Sequence, residues 1–519
     1  MDTITVTIND KVCTAEKGSS ILKIAEENGI YIPTLCNDER VKAYGACSLC
    51  VVEIEGSPKL FRACATEATD GWVIHTNTER IRQSRKVALE LIMSDHEGDC
   101  RGPCMHNCPA MTDCQEYVKK IAERDYHAAV GIIKTKIAFP SSIGRICPHP
   151  CEDGCRRGLV EEPVSICNLK AFAGDRDYES GDPYIPEIAP ETGKTVCVVG
   201  GGPAGMTAAF YLRQRGHQIT VLEAMPHAGG MLRYGIPEYR LPKQIVQREI
   251  DTITAMGGID IRYGVRVGKD VTLEELKAKY DAVIVAIGAW KSTAMRCPGE
   301  ELEGVLGGID FLRDAIEGRD TGIGKKVVVV GAGNTAMDAC RTAVRLGAEE
   351  VTVVYRRTRE EMPAEDIEFD ESVEEGVQYS FLRNPAEIVG RDGHVCGVKL
   401  QVMELGEPDA SGRRSPVPVE GVFEYIEADT VIASLGHQIL PDGFDALTKT
   451  RKGTIEAEDH SFRTSMDGVF AVGEAANGGA TIAVKVIAQA QDVLDADKSI
   501  PCTACHYCVS HCPQKLDIP

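Results

Sequence analysis

Apolar and polar positions alternate at the start of the chain. Ile4, Val6 and Ile8, and later Val51, Val52 and Ile54, mark short strands around one helical pattern over Ser20–Asn28. That mixture predicts a small α+β domain over residues 1–85. Residues 86–180 read as helical, with cysteine pairs at the turns. A proline-containing linker follows, Gly181-Asp-Pro-Tyr-Ile-Pro-Glu-Ile-Ala-Pro190. Two strand–glycine–helix units then begin at Thr195 and Lys326, and acid-led apolar strands, Asp281–Gly288 and Asp429–Gly436, end in glycine. No short-period repeat is present. The two glycine-rich units resemble each other, which predicts paired nucleotide-binding domains rather than a solenoid.

Length and composition narrow the class. A chain of 519 residues holds three or more domains at roughly 100–200 residues each. Hydrophobic residues at 43% and charged residues at 26% are ordinary for a globular protein and exclude disorder as the main character. The net charge of −21 argues against a nucleic-acid partner. No apolar run approaches the ~20 residues that span a bilayer, so no membrane partner is expected. The opening residues MDTITVTIND have neither a basic nor an apolar leader region, and the expected location is cytoplasmic. The 21 cysteines stand out: thirteen lie between Cys13 and Cys167 and four between Cys502 and Cys512. Dense cysteines in a reducing compartment read as metal ligands. Cys13, Cys197, Cys340 and Cys396 fall in strand or helix patterns and are expected in the core.

The first glycine unit, Thr195-Val-Cys-Val-Val-Gly200-Gly-Gly202-Pro-Ala-Gly205, leads into an apolar helix and a second strand closed by Glu223. Gly200 permits the tight turn, Gly202 lets a pyrophosphate approach the backbone, and Gly205 lets helix lie on strand. The helix N-terminus then faces the phosphates, and Glu223 can accept ribose hydroxyls. The second unit runs Gly331-Ala-Gly333-Asn334-Thr335-Ala336, and its second strand ends in Tyr355-Arg356-Arg357 instead of an acid. A carboxylate there would repel a 2′-phosphate and a guanidinium pairs with it, so this site is expected to prefer NADP(H).

Gly229-Gly230-Met-Leu-Arg-Tyr-Gly-Ile-Pro-Glu-Tyr-Arg-Leu-Pro242, Tyr355-Arg-Arg with Glu361-Met-Pro363, and Gly473-Glu474 complete the pattern. On these motifs residues 95–495 resemble the group of two-dinucleotide flavoproteins that contains the glutamate synthase small subunit and the Nfn large subunit. The resemblance implies FAD at the first site and NADPH at the second, with the nucleotide domain inserted in the FAD domain. Gly230, Gly473 and Glu474 would then also meet FAD, although the group usually carries Gly-Asp where this chain has Gly473-Glu474.

The cysteines form three sets. Cys36, Cys47, Cys50 and Cys64, with Gly45-Ala-Cys-Ser-Leu-Cys-Val-Val-Glu53, lie on the β-rich domain. Their spacing resembles the N-terminal domain of the large iron–sulfur subunit of respiratory complex I, which implies a 2Fe-2S cluster; zinc is the alternative. His96, Cys100, Cys104 and Cys108-Pro109 precede Cys147-Pro-His-Pro-Cys151 and Cys155. The two-dinucleotide group implies two 4Fe-4S clusters here, one on Cys100, Cys104 and Cys155, the other on Cys108, Cys147 and Cys151. Each is one ligand short. His96 is a candidate for the first, by the complex-I resemblance. For the second, the group's polar ligand position falls on Lys170, which cannot ligate iron, and Cys114 or Cys167 could substitute. Cys502, Cys505, Cys508 and Cys512-Pro513 form a ferredoxin half-motif for a further 4Fe-4S cluster, its fourth ligand Cys512 or a cysteine elsewhere.

The expected fold is α/β. Two Rossmann-like domains bind FAD (190–320 and 440–495) and NADP (321–439). They follow a β-grasp ferredoxin-like domain (1–85) and a helical iron–sulfur domain (86–180), and precede a ferredoxin-type tail (500–519). The expected function is an NADP(H)–FAD–iron–sulfur relay, since a flavin joins two-electron hydride chemistry to one-electron clusters. The leading expectation is the NADP(H)-reactive subunit of an electron-bifurcating transhydrogenase linking NADP(H), NAD(H) and ferredoxin, similar to Nfn- and Stn-type complexes. Its partners would be other redox subunits, among them an NADH-oxidising flavin and iron–sulfur subunit, and ferredoxin. The alternatives are a glutamate synthase small subunit and a non-catalytic wiring scaffold.

Overall fold

The alternating segment at the N-terminus folds as its pattern requires. Thr3–Ile8 pairs antiparallel with Lys11–Glu16, so Ile4, Val6 and Ile8 share one buried face with Cys13 and Ala15. Val73–His75 adds parallel to Thr3–Ile8, and Val51–Ile54 and Leu60–Arg62 complete a five-stranded mixed sheet. The helix Ile21–Glu27 covers it with Ile21, Leu22, Ile24 and Ala25, and the Ser20 hydroxyl caps its first turn. This is the β-grasp arrangement. The computed structural model describes residues 3–38, 42–94, 101–408, 412–459 and 461–476, with single positions 483, 485 and 487. The chain divides into two compact units between Arg101 and Gly102.

The second unit opens with short helices, among them Cys114–Ala122, Tyr126–Lys134, Pro140–Ile146 and Ile166–Glu179. Gly144 allows the last two to touch: a Cβ there would lie 2.4 Å from the Ala171 backbone nitrogen. Two parallel five-stranded sheets follow. The first runs Val469–Ala471, Ala282–Val285, Thr195–Val199, Gln218–Glu223, Ile259–Tyr263. The second runs Val305–Gly307, Thr430–Ala433, Lys326–Val330, Glu350–Tyr355, Gln378–Phe381. The acids that lead the apolar strands do equivalent work in both. Asp281 accepts the Thr195 amide at 2.8 Å, and Asp429 accepts the Lys325 amide at 2.8 Å.

The second sheet lies within the chain segment that interrupts the first. The two passages between them, Lys291–Ser292 and His437–Gln438, pair antiparallel. The division expected at 320/321 falls later than the pairing. Val305–Gly307 is hydrogen-bonded in parallel to Val431–Ala433, so the stretch around it belongs with the second sheet. A three-residue strand with neither alternation nor a glycine fingerprint carries no sequence signal. The antiparallel meander Arg383–Arg391, His394–Pro408, Arg414–Glu427 is likewise additional to the expected elements. Cys13, Cys197 and Cys340 are core residues as expected; Cys396 is only half-buried, in the meander. Among the described residues no helix is long and apolar enough to cross a membrane.

The cysteine-bearing helices and the first nucleotide sheet share one apolar core, in which Ile133, Phe139 and Ile143 join Met206, Phe210, Val246 and Ile250. Inside this seam the Glu249 carboxylate accepts the backbone N–H groups of Ser141 (2.6 Å) and Ser142 (3.1 Å) and the Ser142 hydroxyl. Burial pushes the Glu249 carboxyl up to about 7. Glu249→Ala strands these buried donors and is expected to cost about 1–3 kcal/mol. A drop in the thermal unfolding midpoint checks it; an unchanged midpoint contradicts the role given to this contact.

Candidate functional site

The strand Thr195–Val199 ends beneath Gly200, whose φ of +107° suits glycine and whose missing Cβ would stand 2.3 Å from the Ala286 carbonyl oxygen. A Cβ on Gly205 would stand 1.9 Å from the Gly200 carbonyl oxygen, so the helix Pro203–Gln214 can start only with glycine there. At Gly202, by contrast, a Cβ would meet nothing closer than the Gly230 Cα at 3.7 Å. That open space over a helix N-terminus is where phosphates fit. Glu223 is buried, its two oxygens accepting the Gly201 and Met225 amides at 2.8 and 2.7 Å. It therefore braces the glycine turn as well as lining the site, and burial raises its carboxyl above the ordinary value.

Gly200, Gly202 and Glu223 line a cavity of about 290 Å³ together with Gly230, Gly288, Trp290 and Glu474. Gly473 takes φ +66° and sets the Glu474 side chain against the cavity, where burial raises its carboxyl too. A clear phosphate cradle, an acid at the adjacent strand end and an apolar far wall fit FAD.

The second site repeats the turn with one change. Gly331 has φ +127°, and a Cβ there would lie 2.3 Å from the Ser434 carbonyl oxygen. Gly333 is open except for the Pro363 ring at 3.8 Å. Asn334 and Thr335 begin the helix Asn334–Arg345. The Asn334 side-chain oxygen is buried without a hydrogen-bond partner, and Thr335 meets the His437 imidazole at 3.4 Å. An orphaned polar atom at a helix N-terminus beside an open glycine fits a bound dinucleotide.

The arginine pair divides. Arg356 is exposed at the end of Glu350–Tyr355, whereas Arg357 is buried and its Nε donates to the Arg414 carbonyl at 2.7 Å. Sequence reasoning missed Arg240. From the Tyr239-Arg-Leu-Pro segment it donates to Asp338 at 2.8 Å, on the nucleotide-site helix, and pairs with Glu368 at 2.9 Å. Its signal was the motif Gly229–Pro242 itself, in which Arg240 sits.

In the first unit Cys36, Cys47, Cys50 and Cys64 converge. The Cys47 amide lies 3.5 Å from the Cys36 sulfur, and the Cys50 and Cys64 sulfurs lie 3.4 Å apart. Gly45 at φ +74° and Ser48 at φ +57° shape the loop that carries them. Burial pushes the Cys64 thiol up to about 12. Burial also pushes the Cys47 thiol up, but backbone N–H groups of Leu49, Cys36 and Leu35 bring it below its ordinary value. Four thiols with N–H groups aimed at sulfur fit a 2Fe-2S cluster.

In the second unit Cys104 lies near Cys155, while Cys167 meets both Cys147 and Cys151, and Cys108 lies close to Lys170 as these three do. Hydrogen bonding to Cys167, then burial, drives the Cys147 thiol far above its ordinary range. Cys114 touches Cys151 and points at the Cys104 carbonyl. His96, Cys100 and the tail residues Cys502, Cys505, Cys508 and Cys512 lie outside the described residues.

Two nested nucleotide-binding sheets joined through one core to clustered thiols define an FAD- and iron–sulfur-dependent, NADP-linked oxidoreductase. The chain belongs to the pyridine nucleotide-disulphide oxidoreductase family, which residues 194–492 match. Residues 1–79 match the 2Fe-2S iron-sulfur cluster binding domain, and residues 96–182 match dihydropyrimidine dehydrogenase domain II, 4Fe-4S cluster. The chain is 44% identical to the NADPH-Fe(3+) oxidoreductase subunit beta of Geobacter sulfurreducens, over 73% of this chain and 61% of that one. It is 40% identical to the NADP(+)-dependent formate dehydrogenase subunit beta of Moorella thermoacetica, over 75% and 58%. The likeness thus spans under two thirds of the length of those two relatives. It is 35% identical to the glutamate synthase [NADPH] small chain of Azospirillum brasilense, over 76% of this chain and 85% of that one. Within the family the chain is therefore a glutamate-synthase-small-chain-like iron–sulfur flavoprotein.

Gly205→Ala forces a methyl into the Gly200 carbonyl and opens the turn. The purified variant is expected to lose most of its flavin, read as the flavin-to-protein ratio; full flavin content would contradict the cradle.

Proposed function

We propose that this chain is the NADP(H)-reactive subunit of a multisubunit, electron-bifurcating transhydrogenase that links NADP(H) to NAD(H) and ferredoxin. The observation that carries the proposal is the converging thiol set Cys36, Cys47, Cys50 and Cys64, on a compact unit of its own. That set adds a one-electron centre beyond the cysteines of the helical segment, and its use is to pass electrons to another subunit. Two relatives bear the name subunit beta, one of an NADPH-Fe(3+) oxidoreductase and one of an NADP(+)-dependent formate dehydrogenase, which supports a modular chain serving different partners.

Within the chain, each residue has a bounded task. Gly331, Gly333 and Asn334 receive the dinucleotide phosphates, and the exposed Arg356 guanidinium pairs with the 2′-phosphate. Gly200, Gly202, Gly205 and Gly230 hold the flavin nucleotide, with Glu223 at its ribose. Bound FAD supplies the ring that takes a hydride's two electrons and yields them singly to clusters. Cys104, Cys108, Cys147, Cys151 and Cys155, with Cys100, hold the central clusters, and the tail cysteines a further one.

The similarity over 85% of a glutamate synthase small chain supports a second reading, an NADPH-oxidising partner of a glutamine-using subunit. Co-purification separates the two. With its own partner subunits the protein is expected to reduce ferredoxin and NAD(H) together against NADP(H). Alone it reduces only artificial dyes with NADPH. Glutamine-dependent glutamate formation by the complex would favour the second reading, and coupled activity from the isolated chain would move the branch point onto its own FAD.

The arginine pair gives a sharper test of coenzyme choice. Arg356→Ala removes a charge-assisted phosphate contact worth about 1.5–3 kcal/mol, at least about tenfold in NADPH affinity with NADH unaffected. Arg357→Ala is expected to leave the NADPH/NADH ratio near wild type and lower stability instead. The reverse pattern would place Arg357 at the phosphate.

A further inference from the structure

Lys170 is unusual for a lysine: its side chain is only 3% exposed. A buried ammonium is costly unless opposite charge meets it. Among the described residues no carboxylate pairs with it. Its Nζ lies 3.8 Å from the Cys167 sulfur, and the groups that face it are Cys167, Cys147, Cys108 and Cys151. Neutral thiols would leave that charge unmatched, whereas a thiolate-bound iron–sulfur cluster is a net anion that matches it.

Cys167 sits three residues before Lys170 on the helix Ile166–Glu179, hence on the same face. It is fully buried and its sulfur meets both Cys147 and Cys151. Its amide donates to Glu152 at 2.8 Å, which fixes the helix start and the direction of the thiol. Cys114 is the competitor. It meets Cys151, but its sulfur turns to Cys104 of the other set, engaging that thiol and lying 3.8 Å from its carbonyl oxygen.

We propose that Cys167 is the fourth thiolate of the cluster held by Cys108, Cys147 and Cys151, and that Lys170 is its buried counter-ion, donating to the Cys167 sulfur and raising the cluster's reduction potential. Each electron added makes the cluster more negative, so a fixed ammonium favours the reduced form; charge and hydrogen bonds to sulfur are the usual levers on such potentials. Lys170 is thus a tuning residue and not a ligand. The inference rests on the iron–sulfur reading of these helices.

The test uses the full chain, purified anaerobically, with iron, zinc and acid-labile sulfide assays and potentiometric EPR. Cys167→Ala is expected to lose about four irons per chain or to show a three-iron EPR signal. The isosteric Cys167→Ser preserves packing and is expected to alter the same signal, while Cys114→Ala retains it. Lys170→Met is expected to keep its iron and to hold at least tenfold less of this cluster reduced at a fixed poise, about 59 mV for a one-electron couple. Lys170→Arg restores most of that shift.

Wild-type iron and spectra in both Cys167 variants, or cluster loss in Cys114→Ala instead, would overturn the ligand assignment. An unshifted potential in Lys170→Met would overturn the counter-ion. His149, Glu152 and Cys167 bring ligand atoms within 4.8 Å of one another. Zinc lost from Cys167→Ala with iron unchanged would therefore assign Cys167 to that trio. Wild-type protein free of iron would sink the iron–sulfur reading itself, a result distinct from all of these.

Discussion

One buried carboxylate holds the redox core together. Glu249, on the helix Lys243–Thr254 of the flavin domain, accepts the first-turn amides of Pro140–Ile146, the helix that runs directly into Cys147. It does so inside an apolar seam continuous from the cysteines to the face of the first nucleotide sheet. Electron transfer between a flavin and a cluster requires fixed separation, and protein interiors transmit position because they are close-packed. Burial lifts the Glu249 carboxyl above its ordinary range, which records the cost of burying its charge. That cost is tolerable because each oxygen has a donor.

The nucleotide domain is held differently. Chain continuity between the two sheets is reduced to the paired passages Lys291–Ser292 and His437–Gln438, and the charged contact of Arg240 with Asp338 and Glu368 spans the rest. Tyr239 lies beside Arg341 and Arg345, which in turn pair with Glu375. Burial pushes the Asp338 carboxyl up to about 6 against the pull of Arg240. Polar clamps of this kind set orientation more than stability. Hydride exchange needs orientation, since the reacting rings must meet face to face.

Much of this was legible in the residues. The glycine turns were, because a Cβ at Gly200, Gly205 or Gly331 collides with backbone carbonyls, and only glycine can record that constraint. The N-terminal alternation was legible because one face of that sheet is buried. The direction of Arg357 was not: adjacent arginines at a strand end look alike until the Arg414 carbonyl captures one of them. Nor was the strand Val305–Gly307, which depends wholly on a partner 126 positions away in its register with Val431. Lys170 stood out in the sequence as a cation where a ligand was expected. Its enclosure by four cysteines is a tertiary fact that no spacing rule conveys.

If the proposed relay operates, electrons entering from NADPH reach iron on this same chain. An anaerobic NADPH titration of the purified protein, followed by flavin absorbance and low-temperature EPR on parallel samples, tests it directly. The expected result is flavin bleaching together with reduced-cluster signals, both abolished when Gly205→Ala removes the flavin. Bleaching with no cluster signal at any NADPH concentration, or cluster reduction in flavin-free protein, would contradict it.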